Sequence, residues 1–127
     1  MAEEVRLAMP ANPEYLRLAR VTAMGIASRL GFTFDEIEDL RIAIDELCFA
    51  IMGNRDHEGF VELRYALDGD CIEVSGVGHF SDSTGIPGLS ELSELIVSAV
   101  SEEHEVDVTG GEPTFRLVKR RTGELTT

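Results

Sequence analysis

Residues 31–47 read GFTFDEIEDLRIAIDEL, and this stretch decides the architecture. Gly31 supplies a stop for whatever helix precedes it. Thr33 and Glu36 stand at the spacing of a capping box, and Asp35, Glu36 and Glu38 load the first turn with the negative charge that a helix N-terminus favours. Ile37, Leu40, Ile44, Leu47, Cys48 and Ile51 then recur at helical spacing, the stripe of a buried face. Ile42 and Phe49 widen the apolar surface, which predicts cover on more than one side. Gly53-Asn54 ends the helix.

Before this helix, Val5, Leu7 and Met9 share one face of a short strand that Pro10 stops. Asn12-Pro13 reads as N-cap and first helical residue, and Leu16, Ala19, Ala23, Ile26, Ala27 and Leu30 form the stripe of a first helix. After it, Phe60 to Leu67 alternates, with Val61, Leu63, Tyr65 and Leu67 on one face and Glu62 and Arg64 on the other. Asp68-Gly69-Asp70 is a tight turn, and Cys71 to Val77 returns as the second arm of a hairpin. Gly76 to Gly88 is a Gly/Ser/Asp-rich loop. A third helix is predicted from Ser90 to Ser101, with Leu92, Leu95, Ile96, Ala99 and Val100 apolar. Val106 and Val108 mark a strand, Gly110-Gly111 a turn, and Phe115 with Leu117 the last strand.

The order β-α-α-β-β-α-β-β predicts an α+β fold. It is a two-layer sandwich, in which three helices cover one face of a mixed, mainly antiparallel sheet. One domain is expected over residues 1–120, followed by a polar tail over 121–127 that frays. Lys119-Arg120-Arg121 is expected to be an exposed strand end.

The 127 residues are 43% hydrophobic, enough for a core despite 28% charged residues. Eleven Lys and Arg against 24 Asp and Glu leave a net charge of −13, which repels nucleic-acid phosphates and suits a basic protein partner. Cys48 and Cys71 lack C-x-x-C spacing and read as small hydrophobes. The acidic start Met1-Ala2-Glu3-Glu4, without an apolar h-region, and the lack of a membrane-length apolar run give a cytoplasmic expectation and no membrane partner. His57, His79 and His104 lack ligand spacing, so no metal site is expected.

Three segments could carry chemistry: Asp45-Glu46-Leu47-Cys48-Phe49-Ala50 on the second helix, Ser75-Gly76-Val77-Gly78 at a strand end, and the third helix after Gly85-Ile86-Pro87-Gly88. With residues 7–18 (LAMPANPEYLRL), 31–47 and 115–119 (FRLVK), they resemble the RsbW-type anti-sigma factors, the SpoIIAB/RsbW group. These share the GHKL, or histidine-kinase-like, ATPase fold. DLRIAIDELC at 39–48 is closest to actinobacterial stress-response members.

The resemblance implies a chain that binds a sigma factor, is antagonised by a STAS-type anti-anti-sigma factor, and forms a homodimer. In the family, a Glu and an Asn four residues apart supply the base for phosphoryl transfer and a magnesium ligand. Glu46 matches the Glu, but Ala50 stands at the Asn position. Asn54 lies one turn on, about 6 Å along the axis. In the family's D-x-G-x-G motif, Gly76 and Gly78 match, while Val74 replaces the Asp that accepts from adenine. No Lys or Arg falls between Arg64 and Arg116 to hold phosphates. The expectation is therefore a nucleotide-site remnant at Gly76 and Gly78 and no cofactor, with Mg-ATP retained only if the degenerate site still binds. The alternative is an active serine/threonine kinase, with Glu46 as base, that phosphorylates the anti-anti-sigma factor. Partner contacts are expected at Pro10 to Arg20, with Tyr15, Arg17 and Arg20 exposed.

Overall fold

The computed structural model describes residues 3–122. Its elements run β1 (Glu3–Pro10), α1 (Leu16–Arg29), α2 (Phe34–Met52), β2 (Gly59–Asp68), β3 (Cys71–Phe80), α3 (Glu91–Val100), β4 (Glu103–Asp107) and β5 (Thr114–Arg120). The spatial order is β1-β2-β3-β5-β4, and all four pairings are antiparallel. The α+β architecture with its three helices is as expected, and the sheet, expected to be mixed and mainly antiparallel, contains no parallel pair among the described residues. The β2–β3 hairpin turns through Gly69, whose φ of 63° is the left-handed backbone such a tight turn requires.

Alternation gives the sheet two different faces. Val61, Leu63, Tyr65, Ile72, Val74, Phe115 and Leu117 are buried towards the helices. Glu4, Arg64, Glu73, Arg116 and Glu103 form ion pairs on the opposite face. The helix layer has α2 packed against both α1 and α3. Helix α1 buries only Ala19, Ala23 and Ala27, so its backbone approaches closely. Tyr65 uses that proximity: its hydroxyl donates to the Ala19 carbonyl at 2.9 Å, which satisfies a polar atom at the centre of the core. Burial pushes the Tyr65 hydroxyl pKa well above its ordinary value. Cys48 is buried as expected, and burial, with the Asp45 charge, pushes its thiol up to about 12.

The capping box of α2 is formed as the sequence predicts. Thr33 Oγ1 accepts from the Glu36 N–H at 3.2 Å, and Glu36 Oε1 accepts from the Thr33 N–H at 2.8 Å. Gly53 ends α2 with φ 71°. Asn12 caps a single 3₁₀ turn, Pro13–Tyr15, that leads into α1.

Two local expectations are corrected. The chain after β5 does not fray at once. The Arg121 N–H donates to the Asp70 carbonyl at 2.7 Å, and Thr122 gives Glu36 Oε2 both its N–H (2.7 Å) and its hydroxyl (2.6 Å). Residues 123–127 of the expected tail lie outside the described residues. Lys119 is not an exposed strand end, because it points inward on β5 and pairs with Asp39 of α2 at 3.4 Å. On α3, Val97 is the fully buried residue, whereas Leu92 and Leu95 are 67% and 69% exposed. A helical stripe has a direction on the wheel, but the sequence does not say which side meets the core.

Candidate functional site

Of the three segments singled out in the sequence, the one at Gly85–Gly88 closes on the C-terminal half of α2, and the one at Ser75–Gly78 lies on β3, a strand that α2 packs against. Glu46 and Ala50 are one helical turn apart and share a face. Ala50 is fully buried, while Glu46 is half-buried and makes no hydrogen bond or ion pair among the described residues. Val74, Gly76 and Gly78 lie on the helix-facing side of β3, where alternation places them in line.

The space above those glycines is taken by aromatic rings. A Cβ built on Gly76 would collide with the ring of Phe115, its partner across the β3–β5 ladder. A Cβ on Gly78 would come within 2.6 Å of the Phe80 ring. Phe80 is itself stacked on His57, with ring centroids 4.5 Å apart. In this chain the glycines make room for its own side chains.

The connection from β3 to α3 is pinned over the end of α2. The Gly88 N–H donates to the Ala50 carbonyl at 2.9 Å. Pro87 lies against Gly53, 3.6 Å from where a Cβ on that glycine would stand. The Arg55 guanidinium donates to the Thr84 carbonyl, and Ser83 Oγ donates to the Gly111 carbonyl at 2.9 Å. Asp82 holds the Thr84 N–H and hydroxyl, and those bonds lower its carboxyl pKa.

Magnesium needs oxygen ligands, and the Ala50 methyl group offers none. An adenine amino group needs an acceptor, and the Val74 side chain has none. The three histidines are held apart: His57 against Phe80, His79 beside Glu62 and Glu112, and His104 on Glu94.

The partner-surface candidates divide. Tyr15 and Arg17 are exposed and, with Glu14 and Leu18, line an open depression of about 490 Å³. Arg20, expected to be exposed, is half-buried and donates from Nε to Asp45 of α2 at 2.5 Å. Asp45 also receives Arg41, which holds Glu38 at 2.9 Å. Two exposed apolar side chains stand beside the candidates: Leu18, 46% exposed and inside the expected Pro10–Arg20 segment, and Val21, 59% exposed and just beyond it. Both fall off the buried stripe of α1, and asking which apolar residues lie outside that stripe singles them out.

No protein-family model matches the chain. It is 40% identical to the serine-protein kinase RsbW of Bacillus velezensis over 140 aligned positions, covering 94% of this chain and 87% of that protein. It is 41% identical to the serine-protein kinase RsbW of Bacillus subtilis over 76 residues, which is 58% of this chain and about half (48%) of that protein. A crystal structure of the RsbU and RsbW domains of a Mycobacterium tuberculosis protein matches with a TM-score of 0.71 at 20% identity. That match covers 93% of this chain and 32% of that one, and at such identity it is a likeness of fold. The identity to the Bacillus velezensis protein extends over most of both chains, and this chain belongs to the RsbW serine-protein kinase family.

Proposed function

We propose that the chain is an anti-sigma factor that holds a sigma factor away from RNA polymerase, gives it up to a STAS-type anti-anti-sigma factor, and does so without ATP. The observation that carries the nucleotide part is the Phe115 ring packed on Gly76, one of the two glycines that the resemblance assigns to the nucleotide site. Three further features favour the same reading. Ala50 has no ligand atom, Val74 has no acceptor, and the Gly88 amide, a donor that could have faced a phosphate, already serves the Ala50 carbonyl.

The partner part rests on family membership and charge. Sigma factors carry basic nucleic-acid-binding regions, and a net charge of −13 speeds encounter with such a surface. Charge steers more than it holds, so an apolar anchor is also needed. The exposed Tyr15, Leu18 and Val21 on and beside α1 provide one, with Arg17 next to them. The protein works in the cytoplasm as a homodimer. Among the described residues, no helix is long and apolar enough to cross a membrane.

The test is calorimetric titration of the purified protein with Mg-ATP and Mg-ADP. No heat and no thermal stabilisation at millimolar nucleotide is the expected result, together with recovery of a sigma factor on the tagged protein without added nucleotide. Micromolar binding overturns the ATP-independent reading and promotes the second one, a serine/threonine kinase acting on the anti-anti-sigma factor. The retained Glu46 favours that second reading. Its own test is transfer of labelled phosphate to a STAS-domain protein, abolished by Glu46→Gln.

A further inference from the structure

Helix α3 turns most of its apolar stripe to solvent. Leu92 and Leu95 are exposed, Ala99 is exposed, and Ile96 is half-buried beside them. Residues at these spacings form one continuous stripe, on a ten-residue helix about 15 Å long. A single exposed leucine needs no explanation. Four apolar residues at i, i+3, i+4 and i+7 make the pattern by which one helix is read by another.

The surroundings select the occupant. From Tyr65 to Phe115 the chain has eleven Asp and Glu and no Lys or Arg. Glu91 and Glu94 lie on α3 itself and Glu102 directly follows it, whereas Glu103 and Glu105 point to the far face of the sheet and take no part in this rim. A second copy would bring the same acidic rim against itself. A stripe of four side chains also falls well short of the roughly 800 Å² per partner typical of a stable dimer. An anionic lipid surface is repelled by the same charges. We propose that the exposed face of α3 docks a basic amphipathic helix of a partner protein, its apolar side on Leu92, Leu95 and Ala99 and its Lys or Arg residues over the acidic rim.

A contact of this size is transient. It lies on a different helix from Tyr15 and Arg17 and requires no nucleotide, so it stands or falls apart from the function proposed above.

The probe is a synthetic helical peptide with leucines at i, i+3, i+4 and i+7 and lysines elsewhere, followed by amide chemical shifts of the full chain. Its control has the same composition with the leucines scattered around the helix. The expected shifts centre on residues 91–100, and affinity falls roughly tenfold or more in the Leu92→Ser/Leu95→Ser double variant but not in Leu18→Ser/Val21→Ser. Both leucines are exposed, so an unchanged melting temperature verifies that the double variant is folded. Binding that maps elsewhere, that the scattered peptide matches, or that the α3 variant leaves intact overturns the proposal. Concentration-dependent self-association abolished by the same α3 variant also overturns it, in favour of a second copy on this face.

Discussion

The ring of Phe115 lies over Gly76 across the β3–β5 ladder, so closely that a methyl group on Gly76 would collide with it. Phe115 is buried and cannot swing clear. Gly76→Ala is therefore expected to cost about 1–3 kcal/mol by overpacking, and Phe115→Ala about 3–5 kcal/mol by leaving a cavity. In urea unfolding the double variant should lose less than the sum of the two, because the methyl group then occupies part of the space the ring vacated. Strict additivity would mean that the two residues do not press on each other.

Restoring the missing polar groups should not restore a nucleotide site. Val74→Asp with Ala50→Asn returns the acceptor and a ligand oxygen, but Phe115 and Phe80 still cover Gly76 and Gly78. Val74 is fully buried, so the aspartate should also destabilise the fold by at least about 2 kcal/mol. Calorimetry with Mg-ATP on this variant checks both the chemistry and the cover. Micromolar binding would show that the rings yield.

Glu36 gives the fold a defined acid sensitivity. Burial pushes its carboxyl pKa up from the ordinary 4.5, but hydrogen bonds from Thr122 and Thr33 outweigh that and hold it at about 2. A depressed folded-state pKa stabilises above the ordinary value and loses that contribution as pH falls. The wild-type melting temperature should therefore drop between about pH 4.5 and pH 2 by more than that of Glu36→Gln. Thr122→Val brings the folded-state pKa of Glu36 back towards its ordinary value, so the drop should become smaller and be complete at a higher pH. Parallel curves for wild type and Glu36→Gln would rule out this source of acid sensitivity.

Lys119 and Asp39 join β5 to α2 by a largely buried ammonium and a half-exposed carboxylate. Removing the carboxylate alone with Asp39→Asn leaves the cation without its counter-charge and should destabilise. Replacing the cation with an apolar side chain, Lys119→Met, should be near neutral or stabilising. Denaturant midpoints of the two variants should thus move unequally, with Asp39→Asn the lower.

Arg20→Ala breaks the ion pair with Asp45, and both side chains are part-exposed. Its effect on stability should stay under about 1 kcal/mol. Any large loss of partner binding in this variant can then be assigned to the interface rather than to unfolding.

The parts of the fold legible in the sequence were those with local causes. Thr33 and Glu36 cap α2 because their atoms are neighbours in the chain, and Gly69 turns the β2–β3 hairpin for the same reason. The α3 boundaries were also close, with Ser90 as N-cap and Ser101 as C-cap. What could not be read depends on residues distant in sequence. Phe115 reaches Gly76 only because β5 inserts between β3 and β4, and Thr122 reaches Glu36 across 86 positions. The outward turn of Leu92 and Leu95 follows from Val97 being the residue the core accepts. The substitutions at positions 50 and 74 were visible as departures from a motif. That Phe115 and Phe80 cover Gly76 and Gly78, and that the Gly88 amide takes the Ala50 carbonyl, was not, since a motif says which groups are missing and nothing of what takes their place.

The bond from the Gly88 amide to the Ala50 carbonyl has a thermodynamic consequence. A protein that binds a metabolite borrows stability from it, in proportion to the logarithm of the metabolite's concentration. With the loop already fastened to α2 and nucleotide excluded as proposed, that dependence vanishes. The folded fraction of this chain, and with it the supply of binding-competent molecules, would then stay constant through swings in cellular energy charge that would shift a nucleotide-bound relative.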